Sequence, residues 1–492
     1  MRKLSLWVGV LLWAPGAFAM DPIPGEERFV GKMGEPQNTG GGELGFAKID
    51  EDFYLQLTLR TGLNLGKVGV GLQVPLNLRV VDKDPKNDRD YYGLVRYEDW
   101  NEPAKFLKVI RYVRYGYKHN EADYVYALVG ELAAQLGHGT IMDRYMNNLD
   151  PNTFHLGSAL DVYTPYGGVE TVVSNYGSVF GSKDGSRIVG GRLYLKPVGL
   201  ADSASAMNIF AVGASVVTDL NAPRALATEQ EQDASGSPVV DANGQPVTHS
   251  VTDKDGNLVV ASGAAQTVWG VDVEAKVINT EVIQVTPYSD LNFIDGAGWG
   301  WHLGTLLTLN MPIGFELSIP VRLEYRRFRS DYIPAYFSTF YELERYAYPT
   351  GSSAIGPKAA VARALSSGKG RNGVYGDLAF NFAGLVQVGG IYEWYDDIDP
   401  NFALFANVPA LQVVQAKAYY TKTGVKTAKD AFTLDDRSLL IAEARYEVVT
   451  YVYVVGRFTR KWSLDPDPAS DTYNDYVGKN DWKFGVEFSM TF

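Results

Sequence analysis

Trp482-Lys483-Phe484-Gly485-Val486-Glu487-Phe488-Ser489-Met490-Thr491-Phe492 is the stretch on which the fold turns. Its even positions are apolar or aromatic, and its odd positions are charged, polar or glycine. A period of two puts alternate side chains on opposite faces of a strand, so this segment reads as a strand with one oily and one wet face. The same rhythm extends back along the chain. Val68, Val70, Leu72, Val74, Leu76 and Leu78 interleave with Lys67, Gln73, Asn77 and Arg79. Ile313, Phe315, Leu317, Ile319, Val321, Leu323 and Tyr325 interleave with Glu316, Ser318, Arg322, Glu324 and Arg326. Near the end, Val452, Val454, Gly456 and Phe458 alternate with Arg457 and Thr459. A charged residue beside an apolar one, sustained over ten positions, fits a wall between oil and water.

The aromatic carboxy-terminal strand ending on Phe492 resembles the closing strand of bacterial outer-membrane β-barrels. That resemblance implies recognition by the barrel-assembly machinery through Phe492 and outer-membrane lipid around the wall. Composition agrees with it. Fifty-one glycines and 31 tyrosines point toward strands with interfacial rings rather than a helical enzyme. A net charge of −12 argues against nucleic acid as a partner. Cysteine is absent, which removes disulfides and thiolate metal sites.

The amino terminus reads as an export signal. Arg2 and Lys3 precede a short apolar run, and Ala17-Phe18-Ala19 supplies a cleavage site. Past residue 20 no segment reaches the roughly 18 apolar residues a membrane helix needs. A membrane-embedded chain must then close its strands into a barrel, the other arrangement that pairs every backbone N–H and C=O. The expected organisation is a signal peptide over 1–19, a flexible segment over 20–50 containing Gly40-Gly41-Gly42, and a barrel over 51–492.

The connections alternate in length. Asn310-Met311-Pro312, Ala383-Gly384 and 447–450 read as tight turns, whereas 81–105, 219–265, 329–370 and 462–480 are long and polar. Short periplasmic turns and long extracellular loops are the outer-membrane pattern. Trp299, Trp394, Trp462 and Trp482 fall near strand ends, where interfacial girdles lie. The expected fold class is all-β: a transmembrane antiparallel β-barrel of about eighteen strands, within about sixteen to twenty. Arg111 and Arg114 fall on opposite faces of one strand, which calls for a bulge or an interfacial arginine. Within 219–265, hairpins around Asn243-Gly244 and Asp255-Gly256 predict a small β-flap. In 329–370, Lys358-Ala359-Ala360-Val361-Ala362-Arg363-Ala364-Leu365 predicts a short helix in a loop long enough to fold inward.

Inward-facing charges are the strongest functional signal. Alternation selects Arg322, Glu324, Arg326, Asp272, Glu274, Asp377, Glu393 and Arg457 as pore-lining candidates. A dry core would leave such groups desolvated at several kcal/mol each unless they paired. An aqueous lumen solvates them, and the near balance of signs predicts weak ion selectivity at most. Tyr332, Tyr336, Tyr341 and Arg345 of the 329–370 loop are the candidate constriction.

Motifs for other chemistry are sparse. The five histidines show no paired metal spacing, and Gly137-His138-Gly139-Thr140 with Asp143 lacks a neighbouring nucleophile motif, so it reads as a glycine-flanked turn or a pore-lining imidazole. Asp82-Lys83-Asp84, Asp253-Lys254-Asp255-Gly256-Asn257 and 465–471 lack the twelfth-position Glu of a calcium loop and read as solvated turns. No metal, cofactor or enzymatic activity is expected. Two functions remain. One is a porin-like channel for passive or semi-selective diffusion of small hydrophilic solutes, with homo-oligomers compatible. The other is a barrel with a blocked lumen that anchors surface loops for adhesion or partner recognition.

Overall fold

The structure, a computed structural model, describes residues 38–491 apart from 50–51, 84–93, 117–123, 149–153, 181–184, 233–235, 241–243, 252–257, 313–314, 351–353, 365–368, 412, 436 and 465–475. The export signal, the Asp255-Gly256 turn and Phe492 lie outside the described residues.

The wall begins with β1 (Thr39–Ile49), β2 (Asp52–Leu65), β3 (Val68–Val81), β4 (Ile110–Tyr115) and β5 (Tyr124–Gly130). It continues with β6 (Gly157–Thr164), β7 (Gly167–Val173), β8 (Ile188–Leu195), β9 (Phe210–Leu226) and β10 (Val260–Ala275). Next come β11 (Ile283–Ile294), β12 (Trp299–Pro312), β13 (Glu316–Phe328), β14 (Arg371–Phe382) and β15 (Val386–Tyr395). The last five are β16 (Ile398–Leu411), β17 (Val414–Lys422), β18 (Ser438–Val449), β19 (Val452–Leu464) and β20 (Tyr476–Thr491).

Each strand pairs antiparallel with the next, and β1 also pairs with β20, from Thr39 opposite Thr491 to Lys48 opposite Trp482. The two-residue strand Ile278–Asn279 adds a rung to β11 beyond the end of β10, leaving a closed barrel of 20 strands. Closure removes both sheet edges, the condition a membrane imposes on a sheet.

Which face is outside follows from exposure. On β13, Leu323 is 53% exposed, while its neighbours Arg322 and Glu324 are 2% and 4% exposed. Leu44, Phe46, Leu59, Leu63, Phe484 and Phe488 continue the exposed apolar face across the seam. Water would tolerate only a patch of a few hundred Å² of this kind, not a girdle around the whole molecule. Hydrocarbon is the solvent that accepts it, and Trp394 stands outward next to the end of β15, with Trp482 outward within β20. The chain is therefore an integral β-barrel of the outer-membrane kind. Among the described residues no helix is long and apolar enough to cross a membrane.

Several boundaries differ from those expected. The barrel begins at Thr39, not after residue 50, because the glycine run is the start of β1. β12 continues through Pro312, and β18 continues to Val449, with Tyr451 taking the positive φ of the turn. β9 and β10 are long strands that narrow the 219–265 loop to 227–259, with register shifts beginning at Asp219. Beyond them Thr228–Gln230 pairs with Thr248–Ser250, and Val240 bridges Pro246, forming the expected flap. The bulge at β4 is present: Gly71 faces Tyr112 and Leu72 faces Ile110, leaving Arg111 as the extra residue. Lys358–Ala364 is helical.

Short turns gather at the end that holds both ends of the barrel. Gly66-Lys67, Pro165-Tyr166, 383–385 and 450–451 lie there, with 116–123, 196–209 and 276–282 as longer connections. Loops 82–109, 131–156, 227–259 and 329–370 gather at the other.

Candidate functional site: a plugged, charged lumen

Segment 131–156 lacks the two-residue rhythm because most of it is not wall. Its described residues from Leu132 to Asn147 fold into the barrel and meet Tyr332–Arg345 of the 329–370 segment there. The two join backbone to backbone: Ala335 N donates to Thr140 O (3.0 Å), Phe337 N to Ile141 O (3.1 Å), and Asp143 N to Phe337 O (3.1 Å). Leu136, Ile141, Met142 and Tyr145 pack with Tyr336, Phe337 and Tyr341 in one apolar cluster. Phe340 carries the contact to the far wall, 5.3 Å from the Tyr419 ring, in a second cluster with Ala403, Phe405 and Leu439. Together the loops form a plug with its own core.

Polar groups dock the plug to the wall. His138 lies between β10 and β11, with Nδ1 2.9 Å from Asp290 Oδ1 and Nε2 2.7 Å from Glu274 Oε2. Its ring stacks on Tyr288 at 3.9 Å, and Thr140 Oγ1 donates to Asp290 Oδ2 at 2.6 Å. Burial alone would drive the imidazole proton off, but the two carboxylates outweigh it and lift the pKa to about 9. With both ring nitrogens engaged by carboxylates, His138 is a bridging cation rather than a base facing a nucleophile.

A second dock centres on β13 and β14. Arg322 Nη1 reaches Asp143 of the plug at 3.2 Å, and its Nε donates to Glu324 at 2.6 Å and to Tyr288 at 3.1 Å. Arg326 Nε donates to Glu324 at 2.6 Å, and its Nη1 donates to Glu393 (2.9 Å) and Tyr395 (2.8 Å). Arg144 of the plug pairs with Asp377 of the wall. Arg144 and Ala335 both have positive φ, a conformation costing about 1 kcal/mol or more each and held by the contacts on either side.

The expected residues thus fall into three groups. Arg322, Glu324, Arg326 and Asp377 face inward beneath the plug, buried and ion-paired. Asp272 is held by Arg192 through two bonds of 3.0 and 2.6 Å, while Glu274 and Glu393 keep partial exposure. Arg457 stands apart on β19.

The constriction candidates are all buried; Tyr332, Tyr341 and Arg345 tie the 329–370 loop to the wall, and Tyr336 packs within the loop. Tyr332 Oη lies 3.0 Å from His302 Nε2, and Tyr341 donates to Asp219 at 2.8 Å. Arg345 pairs with Asp219 at 3.3 Å, and Tyr336 lies under the Lys358 ammonium at 5.2 Å.

Arg144, Asp219 and Asp290 were not singled out from the sequence. Tyr288, Asp290 and Asn292 alternate on β11, and that signal would have found the His138 dock. Among the described residues no group of three or more His, Asp or Glu side chains is placed to hold a metal ion.

No family model matches the chain, and no curated protein resembles it in sequence. Solved structures resemble it only distantly. A mutant of the ferric enterobactin receptor PfeA of Pseudomonas aeruginosa is 8% identical, with a TM-score of 0.33 over 93% of this chain and 81% of that one. Wzi of Escherichia coli, a carbohydrate-binding barrel involved in group 1 capsule assembly, is 10% identical with a TM-score of 0.32 over 93% and 85%. OpdL of Pseudomonas aeruginosa is 10% identical with a TM-score of 0.31 over 92% and 97%. Likeness at this level adds nothing to what the strand pairings already establish.

Proposed function

We propose that the protein is a porin-like channel of the outer membrane that passes small hydrophilic solutes through a lumen narrowed by an inward-folded plug. The observation that supports this reading is the wall on the short-turn side of the plug. There Arg60, Lys417, Glu443 and Lys483 face inward and keep 20–37% of their side-chain surface. Charged groups at that exposure are wet, and a wet lumen lowers the barrier that hydrocarbon raises against a polar solute. The plug then sets the size limit, and no catalytic residue is required.

The dense ion pairing of the plug favours a second reading, a closed barrel that presents its loops to a partner. Arg144→Ala separates the two, because it leaves Asp377 buried and unpaired, at a cost of about 3–5 kcal/mol to plug docking. A channel predicts sugar-permeable liposomes for the wild type and larger single-channel conductance for the variant. Absence of swelling and of conductance in both proteins, with the barrel folded, would sink the channel reading.

A further inference from the structure

Inward charges balance in sign along the chain but not around the wall. Where the plug docks, carboxylates occupy the guanidiniums. Arg192 is gripped by Asp272 and by Glu170 at 3.3 Å, Arg326 is shared by Glu324 and Glu393, and Arg144 is closed on Asp377. The arc formed by β17–β20, β1 and β2 is different. The register sets Lys417 opposite Glu443, Glu443 opposite Arg457, and Arg457 opposite Lys483, and the field at Glu443 includes these three cations and Arg60.

Within 4.0 Å these four cations meet two acids among the described residues, Glu43 and Glu443, while Glu447, nearer the turn, accepts from Tyr451 N at 3.1 Å. Lys483 lies 2.7 Å from Glu43, but Arg60 is 3.5 Å from Glu43 and Lys417 is 3.8 Å from Glu443, both too loose for a strong charged hydrogen bond. Arg457 makes no ion pair within 4.0 Å among the described residues, and its Nε has no acceptor. The adjoining Arg445 is neutralised by Glu487 at 2.9 Å and does not change the balance. Lys417 and Tyr419 share the inner face of β17, and Tyr419 meets Phe340 of the plug, so the cationic row lies on the short-turn side of that contact. With neighbouring strands roughly 4.8 Å apart, three steps from Lys417 to Lys483 span roughly 14 Å.

We propose that Lys417, Arg457, Lys483 and Arg60 form a recognition site for small solutes carrying carboxylate or phosphate groups, giving the channel an anion preference. This rests on the channel reading and replaces the weak selectivity expected from overall charge balance. The unused donors are on cations, and a carboxylate or phosphate oxygen is the group that satisfies them. Lipid headgroups cannot reach the inner face of a closed wall, so the ligand is a dissolved anion.

The test uses the full chain in planar bilayers under a salt gradient. The wild type is expected to give an anion-selective reversal potential, and millimolar succinate or inorganic phosphate is expected to reduce the current. Sucrose and putrescine should not. Arg457→Gln with Lys417→Gln should move the potential toward zero and weaken block by about a hundredfold, roughly tenfold for each charged hydrogen bond lost. Block by succinate alone identifies a carboxylate site, and block by phosphate alone a phosphate site. A cation-selective potential, or one the double variant leaves unchanged, overturns the proposal. If no current passes at all, the channel reading fails, and calorimetry on the detergent-solubilised protein decides the site by itself. Anion binding weakened in the double variant supports the site, and no binding overturns it.

Discussion

His138 shows how one side chain can hold a loop inside a barrel. Its imidazole closes a bridge from the plug to Asp290 on β11 and Glu274 on β10. The proton on it belongs to the docked state, since the pKa there is about 9 against an ordinary 6.5. A raised value means that protonation contributes its full stabilisation below about pH 6.5, and that the contribution is lost as pH rises through about 9. We expect amide hydrogen exchange in 131–156, referenced to the strand amides, to quicken and channel conductance to rise between neutral pH and pH above about 9. His138→Gln should flatten both curves. A wild-type protein whose plug protection ignores pH across that window would show that the bridge does not hold the loop. From sequence, His138 stood only as a turn or a lumen imidazole, because its two carboxylates come from strands more than 130 residues away.

At the scale of elements, legibility tracked how long a segment sits in the wall. β13 from Val321 to Arg326 and β20 from Trp482 to Met490 alternate without a break and were readable; there the outward and inward residues fall as the rhythm required. β1 was not, since Gly40-Gly41-Gly42 looks like a turn until its partner is known. Glycine is needed at this seam: a Cβ on Gly41 would stand 2.2 Å from Phe488 O, and one on Gly45 2.7 Å from Phe484 O. β1 can approach β20 that closely only without side chains on those positions. Gly41→Val is therefore expected to obstruct the closing ladder, and the compact fast-migrating band of an unheated barrel should be lost on a gel. A variant that migrates like the wild type would show that the seam tolerates the bulk. The plug was the other illegible part. Segment 131–156 alternates nowhere, and its burial comes from 329–370 and from the opposite wall, contacts that no local pattern encodes. Arg322, Glu324 and Arg326 lie on the inward face, but whether water or Asp143 would meet them depended on where that segment went.

For the whole molecule, the decisive asymmetry is between two solvents on either side of one wall. Twenty strands place it between barrels that hold a water-filled channel and larger barrels whose lumen is plugged. Here protein fills one part of the lumen, and partly exposed charges line another. The outer face admits no such compromise, because hydrocarbon offers a charge neither water nor a partner. Leu323→Arg places a guanidinium on the outward face of β13, one residue from Arg322, which is stable at the same level on the inward side. We expect that change to cost about 2–4 kcal/mol when folding into lipid vesicles is followed by guanidinium titration. Lys417→Gln on the lumen wall should remain within about 0.5 kcal/mol. Similar costs for the two substitutions would mean that the faces do not meet different solvents, and both the membrane-spanning barrel and the hydrated lumen would have to be abandoned together.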